Sequence, residues 1–235
     1  MATILEVNNL DGGYGKTQII YNVSLAINKG EVVSLIGHNG AGKSTTLKII
    51  FGLLKPYRGK VTYAGQDITG QSPARNVKNG ICFIPQERFI FDNLTVRENL
   101  DMSSYAIEDK SEIASGLETI YELFPILRQR LEQKAGTLSG GERRMLSLGM
   151  ALSIQPQLLI LDEPSLGLAP TLVSHVVSAI TKVNRSLGVT VFLVEQNVKQ
   201  AFKISNRVYV MKTGHIILEE TGQKLLERSE WWDLF

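Results

Sequence analysis

Apolar positions along this chain fall into two rhythms. Short runs rich in branched side chains occupy residues 4–7 (ILEV), 19–27 (IIYNVSLAI), 31–37 (EVVSLIG) and 60–65 (KVTYAG), and each predicts a strand. Gly12, Gly13, Gly30 and Gly59 are expected to break this strand-rich opening. Between residues 43 and 54 the period becomes helical. Farther on, LLILDEP (158–164), LVSHVVSAITKVNRSLG (172–188) and VTVFLVE (189–195) read as strand, crossover helix, strand, which predicts a parallel sheet. Their unbroken apolar runs predict burial on both faces. The segment RVYVMKTGHIILEET (207–221) predicts a hairpin turning at KTGH. Residues 90 to 135 have another texture, charged and helical in period, with Pro125 expected to interrupt a helix.

The pattern predicts one α/β domain over residues 1–235. Its parallel-sheet core covers about 1–89 and 155–235, with an N-terminal antiparallel β portion. An inserted α-helical subdomain covers about 90–154. At 235 residues and 43% hydrophobic, the chain has enough apolar mass to bury a core without help. Its charge of +2, from 25 basic and 23 acidic side chains, gives no field that would attract nucleic acid or an anionic membrane surface. No nucleic-acid partner is expected. Cys82 is the single cysteine, so no internal disulfide forms; a reducing compartment and a buried thiol are expected. No basic region followed by an apolar stretch opens the chain, and the longest apolar runs are far short of the roughly 20 residues a membrane-spanning helix needs. Any membrane role is therefore expected to pass through a partner.

Gly37 with Gly42-Lys43-Ser44 satisfies G-x-x-x-x-G-K-[ST], after a predicted strand and before a predicted helix. Gly37, His38, Asn39, Gly40, Ala41, Gly42, Lys43, Ser44 and Thr45 are the candidate nucleotide-binding residues. Glycines let backbone N–H groups curl around phosphate oxygens, Lys43 adds a point charge, and the helix N-terminus adds its partial positive end. Ser44 offers a hydroxyl suited to Mg²⁺. With His38 a passenger in the loop and His175 and His215 in unrelated segments, a histidine metal site is disfavoured.

LLILDEP puts Asp162 and Glu163 at the carboxyl end of an apolar strand, where parallel sheets form their ligand crevice. Adjacent carboxylates on one strand point to opposite sides, so Asp162 is expected to serve Mg²⁺ through water and Glu163 an attacking water. A second glycine motif, Leu138-Ser139-Gly140-Gly141-Glu142, opens another predicted helix and offers another anion site. Two anion sites in one chain can serve a single triphosphate if two copies pair head to tail.

The runs GHNGAGKST, LSGGE and LLILDEP, with Gln86 in IPQE, strongly resemble the nucleotide-binding subunit of ATP-binding-cassette (ABC) transporters, and the resemblance spans nearly the whole chain. It implies a P-loop NTPase core that hydrolyses ATP with Mg²⁺, Glu163, Gln196 and Lys43 being the catalytic candidates. It implies Mg²⁺ contacts from Ser44, Gln86 and Asp162, partly through water. Residues 138–142 are implied to close over ATP held by a second, identical or paralogous subunit. Tyr14 is similar to the family's adenine-stacking aromatic, with Tyr21 as competitor. Two departures stand out: Gln196 in VEQN replaces the usual switch histidine, and the loop after Pro164 lacks the usual aspartate. An amide donates hydrogen bonds but carries no proton, so base duty is expected to rest on Glu163.

DEPSLGLAP and FLVEQN are similar to the ATPases of importers for branched-chain amino acids and related urea and amide systems. Membrane permease subunits and, indirectly, a substrate-binding protein are the implied partners, at the cytoplasmic face of the membrane. The competing expectation is a soluble ABC-type clamp without a permease; a P-loop GTPase or kinase should lack LSGGE. Trp231, Trp232 and Phe235 close the chain, to pack on the core or on a partner.

Overall fold

The computed structural model describes residues 2–86, 89–103 and 110–228. The aromatic tail with Trp231, Trp232 and Phe235 lies outside the described residues. Two sheets organise the fold. In the first, β1 (Thr3–Tyr14), β2 (Thr17–Asn28), β4 (Arg58–Tyr63) and β5 (Gln66–Asp67) pair antiparallel in the order β2-β1-β4-β5.

The second sheet contains β3 (Val32–Ile36), β6 (Ile81–Ile84), β7 (Leu158–Asp162), β8 (Thr190–Val194), β9 (Arg207–Lys212) and β10 (His215–Thr221). Its order is β10-β9-β3-β8-β7-β6, parallel throughout except for the terminal β9–β10 hairpin. Every residue of β3, β6, β7 and β8 is buried, as their unbroken apolar runs require.

Helices cover both faces. On one side, α1 (Lys43–Phe51) and the antiparallel sheet pack Leu5, Leu10, Ile20, Leu47 and Ile50 against Leu35, Ile160 and Phe192. On the other, α3 (Val96–Ser103), α4 (Lys110–Leu123), α5 (Pro125–Gln129), α6 (Gly140–Leu152) and α7 (Pro170–Leu187) share one cluster with the sheet, in which Leu100, Ile120, Leu127, Leu146 and Ile180 meet Leu159, Leu161 and Val191. The short helices α2 (Pro73–Lys78), α8 (Val198–Ile204) and α9 (Gly222–Glu227) complete the chain. The expected strand, crossover helix and strand are β7, α7 and β8, neighbours in the sheet. A break at Pro125 separates α4 from α5, and Thr213 and Gly214, both at positive φ, turn the hairpin.

Three glycines do not act as the sequence suggested. Gly12 and Gly13 lie inside β1, and Gly59 inside β4. Neighbours crowd them: a Cβ on Gly13 would overlap the Thr17 carbonyl oxygen, and one on Gly59 would lie 2.5 Å from the Asn9 carbonyl oxygen. Gly13 and Gly59 are sites of close backbone approach and Gly12 makes room for the Ile49 side chain, so none of them breaks the chain, and β1 runs through as an inner strand of its sheet, paired on both edges. Conversely, Ala64 and Gly65, expected at the end of a strand, form the positive-φ turn between β4 and β5. Gly52, also at positive φ, ends α1 at Phe51, earlier than the helical period suggested. Among the described residues no helix is long and apolar enough to cross a membrane. Cys82 is buried, and burial pushes its thiol up to about 12.

A candidate nucleotide site at the carboxyl edge of the parallel sheet

Chain leaving β3 forms the loop 37–42 and enters α1 at Lys43. Gly40 and Gly42 adopt φ of 81° and 105°, the left-handed region that lets the loop curl. A Cβ on Gly42 would stand 2.7 Å from Ile20 Cγ2, so the antiparallel sheet presses the loop from behind. The Lys43 ammonium is folded back into the loop, donating to the carbonyl oxygens of Gly37 (2.8 Å) and His38 (3.0 Å). It also stands 4.0 Å from Glu163 Oε1. Burial pushes its pKa below the ordinary lysine value, against the opposing pull of Glu163 and then Asp162.

The two carboxylates divide their partners, though not by strand alternation. Strand β7 ends at Asp162, whose Oδ1 accepts the Ser44 hydroxyl at 2.9 Å. Glu163 then turns to φ 50°, a left-handed conformation that a non-glycine residue seldom adopts, held by its N–H donating to Val194 O at 2.9 Å. That turn, and not the pleat, brings Glu163 to Lys43 and Gln196. Burial, reinforced by the neighbouring Glu163 charge, raises the Asp162 pKa above the usual carboxylate range, while the Ser44 hydroxyl opposes it.

Gln196 follows β8 and closes the arrangement. Its side-chain amide donates to Glu163 Oε2 at 2.7 Å and to Asn39 Oδ1 at 3.0 Å, tying the glutamate to the loop after β3. These groups surround a cleft of about 380 Å³ lined by Tyr14, Asn39, Lys43, Ser44, Gln86, Glu163 and Gln196, together with Gly40, Gly42 and Thr45. Tyr14 stands at its mouth, 46% exposed, with Lys48 Nζ 5.9 Å from its ring centroid. Tyr21 is engaged elsewhere: its ring stacks on His215 at 5.2 Å and its hydroxyl donates to Gln18 O.

The second glycine motif is not part of this cleft. Leu138 is buried, and Ser139 caps α6. The Ser139 hydroxyl accepts the Glu142 N–H at 3.3 Å, and Glu142 Oε2 accepts the Ser139 N–H at 2.8 Å, a reciprocal capping box. That bond holds the Glu142 carboxyl below its usual range, with burial opposing and the Ser139 side chain and Arg130 adding to the shift. Gly140 and Gly141 let other segments approach: a Cβ on them would lie 3.0 Å from Leu168 Cδ2 and 2.9 Å from Leu172 Cδ2. Ser139 and Gly140 are exposed, and none of residues 138–142 lines their own chain's cleft. Two polar residues that the motifs did not single out are Glu195, buried behind Gln196, and Arg144, which donates to the carbonyl oxygens of Gln86 and Glu163 at 3.4 Å each.

A family model described as ABC transporter matches residues 20–166, more than half of the chain. The chain belongs to the ABC transporter family. This cassette is 42% identical to the high-affinity branched-chain amino acid transport ATP-binding protein BraG of Pseudomonas aeruginosa, over 99% of both chains. It is 39% identical to the probable branched-chain amino acid transport ATP-binding protein LivF of Archaeoglobus fulgidus, over 97% of this chain and 96% of the relative. To the lipopolysaccharide export system ATP-binding protein LptB of Haemophilus influenzae it is 34% identical, over 97% and 95%. Among solved structures, the ADP conformation of an ATP-binding cassette of an ABC transporter superposes with TM-score 0.87 at 28% identity, covering 100% of this chain and 98% of that one. A dimeric post-hydrolysis cassette bound to ADP and phosphate superposes with TM-score 0.76 at 26% identity, covering 93% and 98%. These neighbours carry the P-loop NTPase core expected from the glycine loop.

Proposed function

We propose that this chain is the ATP-hydrolysing subunit of an ABC importer for branched-chain amino acids or related small solutes, dimerising around two Mg·ATP to drive membrane permease subunits. The observation that carries the reading is the single cleft shared by Lys43, Ser44, Glu163 and Gln196, with Asp162 bonded to Ser44 beneath it. The importer class is supported by the branched-chain amino acid transport role of the BraG and LivF relatives, which match at higher identity than the lipopolysaccharide exporter.

In this mechanism the amides of loop 37–45 and the Lys43 ammonium bind the β- and γ-phosphates. To do so Lys43 gives up one or both of its carbonyl partners. Tyr14, open at the mouth, stacks on adenine. Glu163 orients or deprotonates the attacking water, and its left-handed backbone aims it into the cleft. Gln196 holds that carboxylate and offers its amide near the γ-phosphate, without a proton to transfer.

The Ser44 hydroxyl and Asp162 carboxylate, 2.9 Å apart with Gln86 across the cleft, are the hard oxygen donors Mg²⁺ prefers, and they fit an ion that keeps several waters. Bound there, it supplies charge neutralisation on the phosphate oxygens. Ser139 and the first amides of α6 serve the triphosphate of a second copy; the dimeric cassette with ADP and phosphate supports this pairing. The helical segment between about residues 90 and 154, entered after Gln86, carries motion to the permease, and a substrate-binding protein acts through that permease. No nucleic acid takes part.

Glu163→Gln tests the reading. The variant is expected to bind Mg·ATP and accumulate as a dimer, with hydrolysis down by about 10²–10⁴-fold, the range of a lost general base. Multi-turnover hydrolysis near the wild-type rate would overturn it. Copurification of the tagged chain with an integral membrane protein tests the transport role.

A further inference from the structure

Glu195 is a buried carboxylate that the mechanism above leaves unused. Only 4% exposed, it sits at the end of β8, one residue before Gln196. Its neighbours are all donors: Oε1 accepts the Ser165 N–H at 3.1 Å, and Oε2 accepts the Ser165 hydroxyl at 2.8 Å, the Gln196 N–H at 3.2 Å and the Asn197 N–H at 3.4 Å. Four donors converging on one carboxylate fit an acceptor-only anion and nothing else of that shape. Burial raises its pKa while all four bonds pull it back.

What these bonds join matters more than their number. Ser165 belongs to the loop that follows Glu163 and Pro164; Gln196 and Asn197 belong to the turn after β8. One carboxylate therefore fastens the loops of two adjacent strands. The Gln196 side chain has several free torsions, and fixing such a chain costs rotamer entropy. Yet its amide makes two directed contacts, to Glu163 and to Asn39. Anchoring its peptide N–H and the facing loop removes part of that freedom in advance. The same loop continues to Leu168, which packs over Gly140 at the start of α6.

We propose that Glu195 is a positioning residue for ATP hydrolysis: its carboxylate locks the Ser165 loop to the Gln196 turn and so holds the Gln196 amide on Glu163 and Asn39. This inference rests on the hydrolytic site proposed above. A glutamine at 195 cannot replace the carboxylate, because its NH₂ end must face either the Ser165 N–H or the N–H groups of Gln196 and Asn197.

The test is steady-state hydrolysis of Mg·ATP by the full chain, wild type against Glu195→Gln, Ser165→Ala, Gln196→Ala and the double variant Glu195→Gln/Gln196→Ala. Losing one bond to a charged group sets the scale: Glu195→Gln is expected to lower kcat about 10-fold with KM for ATP within about twofold, and Ser165→Ala to lower it about threefold. In the Gln196→Ala background, Glu195→Gln should cost less than about a further twofold, since its route of action is gone. A kcat for Glu195→Gln within about twofold of wild type, or the same tenfold loss with Gln196 absent, overturns the proposal. Should Glu195→Gln fail to fold, Ser165→Ala, which deletes one hydroxyl, is read through the same cycle with Gln196→Ala. The two readings fail differently. If wild type does not hydrolyse ATP, or Glu163→Gln does so normally, the hydrolytic site and this inference fall together. If Glu163→Gln is inactive but the Glu195 and Gln196 effects multiply independently, only the positioning role falls.

Discussion

Replacing Lys43 by methionine separates two effects of one ammonium group. In the nucleotide-free protein Lys43 is 4% exposed, donates to two loop carbonyls and stands 4.0 Å from Glu163. Its pKa lies below the ordinary value because burial outweighs the attraction of Glu163 and Asp162. An amine whose folded pKa is lowered subtracts stability wherever it is charged in both states, and that loss is relieved as pH rises from the folded to the unfolded pKa. Each bond to a carbonyl offsets about 1.5–3 kcal/mol, against a desolvation cost of several kcal/mol, so the two nearly cancel.

Lys43→Met keeps the length and removes the charge; the expected change in the nucleotide-free protein is no more than about 1 kcal/mol, upward, or about 2–4 °C in Tm for a chain of this size. With nucleotide the outcome inverts. At a free concentration about 100 times Kd a ligand stabilises by about 2.7 kcal/mol, a rise of about 5–10 °C in wild type, and Lys43→Met should lose that rise. Scanning calorimetry with and without a magnesium-loaded non-hydrolysable ATP analogue measures both. A nucleotide-free Tm lowered by more than about 8 °C, or a nucleotide-dependent rise equal to wild type, would refute the reasoning.

Three further outcomes follow from the geometry. Tyr14→Ala should weaken nucleotide binding about 10-fold, the scale of one base–aromatic stack, while Tyr21→Ala leaves it unchanged; fluorescent-nucleotide titration distinguishes them. Asp162→Asn should raise the stability of the nucleotide-free protein, and more at pH about 8 than at about 4. The carboxyl's raised folded pKa contributes stability below its unfolded pKa that is lost as pH rises through the folded one; denaturant midpoints at the two pH values check the sign. Gly13→Ala forces a methyl into the Thr17 carbonyl and should destabilise by more than about 3 kcal/mol, read from urea unfolding, even though Gly13 does not itself line the cleft.

Much of the site was legible because its chemistry demands particular residues in a particular order. The left-handed backbone of Gly40 and Gly42 favours glycine, and a lysine at a helix start after such a loop has few other uses. The apolar runs around Leu159 and Val191 announced strands buried on both faces. What sequence could not carry were features set by segments far along the chain. Gly12, Gly13 and Gly59 read as breaks, yet they lie within strands, where the Ile49 side chain crowds Gly12 and a second backbone crosses Gly13 and Gly59. Glu163 was expected to alternate with Asp162; its left-handed turn depends on a bond to Val194, 31 residues on. No motif singles out Glu195, which closes the predicted strand 189–195, and its proposed role as a tie appears only when Ser165 is brought beside it.

The central claim is that a triphosphate held by residues 37–45 of one copy is closed over by residues 138–142 of another. A crystal structure of Glu163→Gln with Mg·ATP tests it directly. The account predicts two copies, each triphosphate lying between Lys43 of one and Ser139 of its partner. A bound triphosphate with residues 138–142 of neither copy within hydrogen-bond reach would contradict it.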